Sequence, residues 1–581
     1  MSSRLPAGES PGTSPGTSSG TSSGTSSGTS PGTSSGTSSG TSSGTSPSTS
    51  SGTSSGTSDK APGLRPGTLG TADISFFVVS AAAPLTVMAG VAPIALVLGG
   101  IGAPAGYLLA GITLAIFAVG FTTMSRHVRS GGAFYAYIAQ GLGTPLGIAA
   151  ALVAMVGYNG MEIGVYGLLG SATSDTAGAL GGADLPWLPV ALAGLAVIWY
   201  GGYRSIDFGA KVLGVLLVAE TGILLLLAGG VLLEGGAEGL SLASFAPGNV
   251  LVPGTAAVLA FAFSAFTGFE STVIYRREAR DPARTIPRAT YIAVGFLGLF
   301  YAFVVWTVIQ AFGDDRVVAA AAGDTGGLFF AAITTYVGPW AADLMHVFIV
   351  TSILASLLAF HNAINRYALA LAEEGVLPAA LGRIHPRHRS PYVAGLAQTA
   401  LGAVVVLGFA AAGADPYTQL LLWVNTPGML GLMALMLLAA LAVVRYFRRV
   451  PHQEGALRTL VAPVTAAVLL AVAIWLVASK VALFTGASPT VNTVLVAVVP
   501  AVLVLGLLLA HRLRRTRPEV YARFAAEPPA APHPAQPSPA PHPHAEGADP
   551  SCPQPPTSSS STPASVPPSR AATRPSPSAT D

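Results

Sequence analysis

The sequence predicts an all-α integral membrane protein with about twelve transmembrane helices. Three observations predict it. Of 581 residues, 51% are hydrophobic and only 9% charged, far below the roughly 25% charge that coats a soluble globule. The apolar residues come in runs near the ~20 residues needed to cross the hydrocarbon. The loops between the runs alternate in charge, one basic and the next acidic.

The spans are read at about 73–98, 103–124, 145–171, 187–203, 209–233, 253–276, 289–312, 338–369, 391–411, 417–444, 459–483 and 491–511. Basic residues follow every even-numbered span: Arg126 and Arg129, Arg204, Arg276 to Arg288, Arg383 to Arg389, Arg445 to Arg458, and Arg512 to Arg517. The alternate loops carry Asp175, Asp184, Glu234, Glu238, Asp314 and Asp324, with Arg316 and Lys480 as their few cations. Basic loops stay in the cytoplasm, so both termini are expected there, in a multi-pass protein of the cell (cytoplasmic) membrane. A miscounted span would break the alternation.

Flanking the spans, residues 1–66 contain a tandem Ser-Pro/Ser-Gly-Thr array, and residues 516–581 become rich in Pro, Ala and Ser. Such chain cannot bury enough apolar surface to order itself, so 67–515 is the expected transmembrane domain between two disordered tails. The repeat reads as a tether or as the residue of repeat slippage, with a docking tail as the alternative. No apolar h-region precedes the first span, so no cleavable signal is expected. The single cysteine, Cys552, excludes an internal disulfide and a Cys-based metal site. No cofactor, no metal and no nucleic-acid partner is expected: the histidines lack ligand spacing, no GxxxxGK[ST] is present, and the basic loops suit lipid headgroups.

Two spans carry helix breakers. Span 1 holds Ser80-Ala81-Ala82-Ala83-Pro84-Leu85-Thr86, with Gly90 and Pro93 beyond, and span 6 holds Ser264-Ala265-Phe266-Thr267-Gly268-Phe269-Glu270. Proline removes a backbone donor and clashes with the preceding turn. Freed backbone groups are tolerated in hydrocarbon only inside protein or beside a water-filled cavity. The breaks lie five spans apart, as an inverted repeat of spans 1–5 and 6–10 would place them, and such a pair points to a transporter's binding site. Bare N–H groups suit a carboxylate and unwound carbonyls an ammonium or cation, so Ala82, Ala83, Pro84, Leu85, Thr86, Ala265, Phe266, Thr267, Gly268 and Phe269 are expected to hold a zwitterion, with Tyr158 beside them. The alternative is two simple kinks.

Several motifs resemble those of the amino acid–polyamine–organocation (APC) superfamily. Gly268-Phe269-Glu270 with Glu278 and Asp281-Pro282-Ala283-Arg284-Thr285-Ile286-Pro287-Arg288 is similar to its sixth helix and following loop. Gly131-Gly132-Ala133-Phe134-Tyr135 resembles its entry to helix 3, and Asn365-Arg366 with Glu374-Gly375-Val376-Leu377-Pro378 its loop after helix 8. The resemblance covers about 67–510 and implies an amino acid permease: five-plus-five inverted repeats with two additional helices, alternating access, and amino acid or amine substrates. The sequence departs from the pattern in reading Pro84-Leu85-Thr86 where the family has Gly-x-Gly, and Arg277 in place of the first of two acids.

Ionisable residues inside spans are functional candidates, since placing one there costs at least ~2.5–3.5 kcal/mol. Glu270, Glu220 and Glu162 are candidates for proton coupling or gating, with a satisfied polar contact as the alternative for each. His346 reads as interfacial. Thr351, Ser352 and Ser356, with the Ala81 carbonyl, form a possible sodium cage, although such hydroxyls often bond back to their own helix. The functional reading is a proton-coupled or exchanging amino acid permease; amine or polyamine transport on the same fold and a membrane sensor are the alternatives.

Overall fold

A computed structural model describes residues 69–128, 133–204 and 210–524. The Ser/Gly/Thr array, Gly131-Gly132 of the helix-3 motif and the tail beyond residue 524 lie outside the described residues. The described chain is helical: α1 (Thr71–Ala82), α2 (Pro84–Gly90), α3 (Ala92–Gly99), α4 (Ala103–His127), α5 (Ala133–Leu142), α6 (Thr144–Gly181), α7 (Trp187–Tyr203), α8 (Ala210–Glu234), α9 (Pro247–Val250), α10 (Thr255–Ala265), α11 (Pro282–Phe312), α12 (Val317–Gly323), α13 (Leu328–Tyr336), α14 (Pro339–Glu373), α15 (Tyr392–Ala411), α16 (Leu422–Phe447), α17 (Ala462–Ser479), α18 (Val481–Thr485), α19 (Pro489–Thr516) and α20 (Pro518–Arg523).

Among the described residues, 11 helical stretches are long and apolar enough to cross a bilayer. The 17-residue α7 stands at the position of the fourth span. Together they reproduce the order read from the sequence, so the chain is a multi-pass, all-helical membrane protein. Span 1 comprises α1 to α3, and span 6 comprises α10 with a 3₁₀ segment, Phe269–Arg277. α6 has 38 residues, about 57 Å at 1.5 Å per residue, which carries its end well past the hydrocarbon. Between spans 7 and 8 the chain adds α12 and α13, bent by 119°. The sequence alone predicts a loop there, because neither piece has the length of a span.

Small residues let the helices approach. A Cβ added to Gly111 of α4 would lie 3.2 Å from Gly298 Cα of α11, and one on Gly428 of α16 would lie 2.8 Å from the Gly157 carbonyl of α6. Lipid gives helices no hydrophobic reason to associate, so close backbone packing supplies the attraction. These contacts hold α6 and α16, and α4 and α11, around the two broken spans.

Candidate functional site: a cavity between two broken spans

Span 1 breaks at Ala83, whose φ of 45° and ψ of 74° place it in the left-handed region between α1 and α2. A residue with a Cβ is rare there, and Pro84 follows as the first residue of α2, where its missing N–H costs nothing. The sequence departure from Gly-x-Gly is thus accommodated one position earlier, by strain at an alanine. A second interruption follows at Val91, φ −131°, before Pro93 in α3. Span 6 breaks where α10 ends at Ala265. Gly268, φ 108°, then turns the chain into the 3₁₀ segment.

The two breaks face each other. A Cβ on Gly268 would stand 3.6 Å from the Ala81 Cβ. Below them Phe77 and Tyr275 stack at 5.4 Å between ring centroids, and Tyr301 of α11 donates to the freed Ala82 carbonyl at 3.4 Å. Between the breaks lies a cavity of about 70 Å³. Ala81, Ala82, Ala83, Thr86, Ala265 and Thr267 line it from the breaks, joined by Ser264 of α10 and Asn425 of α16.

The remaining residues expected to hold substrate are placed elsewhere. Leu85, Phe266 and Phe269 are fully buried in the helical core, where Phe269 meets Phe117 edge-on at 6.1 Å. Pro84 and Gly268 shape the breaks without lining the cavity. Tyr158 also stands off the lining, because its hydroxyl donates to Glu270.

Each intramembrane carboxyl has named partners. Glu270 Oε2 accepts the Gly268 backbone N–H at 3.0 Å, so it satisfies a donor that the break exposes and ties it through Tyr158 to α6. Glu220 of α8 accepts Ser352 Oγ at 2.9 Å, Ser352 accepts Thr86 Oγ1 at 2.8 Å, and the Leu85 backbone also reaches the Glu220 carboxylate. Glu162 meets His361 Nδ1 of α14 at 3.3 Å, the Tyr166 hydroxyl at 3.3 Å and the amide of Gln398 in α15. All three carboxyls are buried.

His361 and Gln398 were missed in the sequence reading. Their signal was present, since both are polar residues within apolar runs, but nothing in the sequence aligns α14 and α15 with Glu162. Of the hydroxyls considered for sodium, Thr351 donates to the Phe348 carbonyl at 3.0 Å and Ser356 to the Ile353 carbonyl at 3.1 Å. Ser352 is engaged by Glu220 and Thr86, while Ala81 lines the cavity. His346 stacks on Phe330 at 3.8 Å.

A second, larger space opens toward the face carrying the acidic loops. It measures about 990 Å³ and is lined by Asp175, Asp184, Asp324, Asp343, Asp415 and His346 among others. Leu168 of α6 borders both spaces. Its side chain lies close against Gly90, whose carbonyl accepts the Tyr417 hydroxyl at 2.8 Å. Leu168, backed by Gly90 and Tyr417 on the vestibule side, therefore stands between vestibule and cavity.

Comparison with known proteins agrees with this geometry. The profile of a family described as "Amino acid permease" matches residues 69–507. The chain belongs to the amino acid permease family. That family is one of transporters rather than enzymes. Among similar proteins, an uncharacterized transporter of Mycobacterium tuberculosis is 35% identical over 143 residues, 25% of this chain and 31% of its own. The branched-chain amino acid permease BcaP of Bacillus subtilis is 25% identical over 169 residues, 26% of this chain and 33% of its own. A cadaverine/lysine antiporter of Escherichia coli is 27% identical over 152 residues, 26% of this chain and 33% of its own. In each of these alignments the chain spans about a third of the relative's length.

Proposed function

We propose that this permease carries an amino acid across the cell membrane by alternating access, with the substrate held in the cavity between the breaks of spans 1 and 6. The observation that carries the reading is the Ala81–Gly268 approach with a small cavity beside it. The side chains of Thr86, Ser264, Thr267 and Asn425 supply polar contacts for a zwitterion in a largely apolar site. The basic loops face the cytoplasm, so both termini lie there and the acidic vestibule opens outward.

Proton coupling is favoured over sodium. Glu270 and Glu220 are each tied by hydrogen bonds to one of the two breaks, so gain or loss of a proton acts directly on the segments that must move. The hydroxyls of Thr351 and Ser356 turn to their own helix. Glu162, paired with His361 outside the cavity lining, serves as a polar tie in the scaffold.

A second reading, amine or polyamine transport, is favoured by one observation: the five vestibule aspartates would concentrate cations at the entrance. Proteoliposomes holding the purified protein test the main reading. An imposed inward proton gradient accelerates uptake of a labelled amino acid if the coupling is right. Uptake indifferent to that gradient leaves an exchanger, and absence of any amino acid flux defeats the reading.

A further inference from the structure

We infer that the cavity is a site for a small neutral amino acid, of about the size of alanine or serine, and that it excludes lysine and diamines. The inference rests on the permease reading above and names its substrate class.

Beyond the breaks the lining is mostly apolar, with Met161 and Val165 of α6, Phe261 of α10, Phe360 of α14, Leu421 and Leu422 at the start of α16, and its polar members Ser264, Ser356 and Asn425 are uncharged. Among the described residues, no charged side chain lines the cavity. The three neighbouring carboxyls stand behind the wall and are committed: Glu220 to Ser352, Glu270 to Gly268 and Tyr158, and Glu162 to His361, Tyr166 and Gln398. A second ammonium group on a substrate would be buried here with no anion to meet it, which is costly unless the charge is paired. The acidic vestibule draws cations without choosing among them, so selection falls to the cavity.

The cavity offers one polar group suited to the α-ammonium that every amino acid carries. Asn425 directs its Nδ2 at Ser264 Oγ, 3.4 Å away. Its Oδ1 is buried with no hydrogen-bond partner among the described residues. A buried acceptor left unmade is expensive, and an ammonium in the cavity would satisfy it. The volume sets the size limit. The space is small, about 70 Å³, which favours the shortest side chains over an isobutyl group.

Counterflow in proteoliposomes tests this. Vesicles loaded with one unlabelled compound are offered the same compound carrying label, and accumulation of label reports its transport. Alanine and serine should drive accumulation. Lysine and cadaverine should give less than a tenth of that signal, and leucine a weak one. Met161→Ala and Phe360→Ala, each enlarging the cavity from a different helix, should raise the leucine signal several-fold while alanine counterflow persists. Lysine or cadaverine performing as well as alanine overturns the inference, as does leucine matching alanine in the parent, or a leucine signal unchanged in both variants. If lysine alone drives counterflow, the permease reading survives and only the substrate class falls. If no amino acid of any class drives it, the reading beneath falls as well.

Discussion

Thr86 Oγ1 donates to Ser352 Oγ at 2.8 Å, joining the segment just past the first break to the middle of α14. Ser352 passes the connection to Glu220 Oε2 at 2.9 Å. Three elements distant in sequence thus share one buried chain, which joins the Glu220 carboxyl to the Thr86 side of the cavity.

Ser352→Ala removes both links, leaving the Glu220 carboxyl and the Thr86 hydroxyl short of a partner. Ser352 is fully buried, so the expected loss is about 1–3 kcal/mol of stability, read as a lowered melting temperature in detergent, together with reduced uptake. Ser352→Thr keeps the hydroxyl and should recover much of both. A melting temperature and uptake unchanged in the alanine variant would mean the chain is incidental.

Glu270→Gln keeps an acceptor for the Gly268 N–H but cannot exchange a proton. In the parent, symport predicts faster uptake as external pH falls, because the carboxyl must load a proton from outside. In the glutamine variant that dependence should flatten while counterflow persists, since exchange needs no net proton movement. Identical pH profiles in parent and variant would remove Glu270 from coupling and leave it as a cap on the break.

Gly268→Ala tests the second break. The added Cβ would meet Ala81 at an ordinary van der Waals distance, 3.6 Å, so space is not the obstacle. The backbone is: a φ of 108° is ground that residues with a Cβ occupy only under strain, at about 1–3 kcal/mol. Transport should fall several-fold with a lowered melting temperature. A fully active alanine variant would show that span 6 does not need this turn.

His361→Ala should destabilise the protein without altering its selectivity. The ring is buried against Glu162 at 3.3 Å, and its removal strands a buried carboxyl, at about 1–3 kcal/mol or more. Because Glu162, His361, Tyr166 and Gln398 do not line the cavity, the remaining folded protein should keep the parent's substrate order in counterflow. A changed order would place the cluster in the transport path.

Much of this architecture was legible in the chain itself. Apolar runs and alternating loop charge gave the spans, because a bilayer imposes length and sidedness on any sequence that crosses it. Pro84 and Gly268 marked the breaks, because few residues interrupt a helix within hydrocarbon. The cavity wall was harder. Ala82 and Thr86 line it while Leu85 between them points into the core, and only the left-handed turn at Ala83 decides which side each takes. Met161, Phe360 and Asn425 come from three other helices, whose rotations depend on contacts such as Gly157 against Gly428. The pairing of Glu162 with His361 and Gln398 was hidden for the same reason. The candidates were visible as polar residues in apolar runs, but not the register between helices.

Substrate protection at Ser264 tests the central claim most directly. Ser264 lines the cavity, and Cys552, the single native cysteine, can be replaced by serine to leave Ser264→Cys as the sole thiol. A small, membrane-impermeant thiol reagent is applied to proteoliposomes with and without a transported amino acid. A substrate held between the two broken spans should slow labelling several-fold, at concentrations that track its transport. Labelling at the same rate with and without saturating substrate would contradict the placement of the binding site between spans 1 and 6.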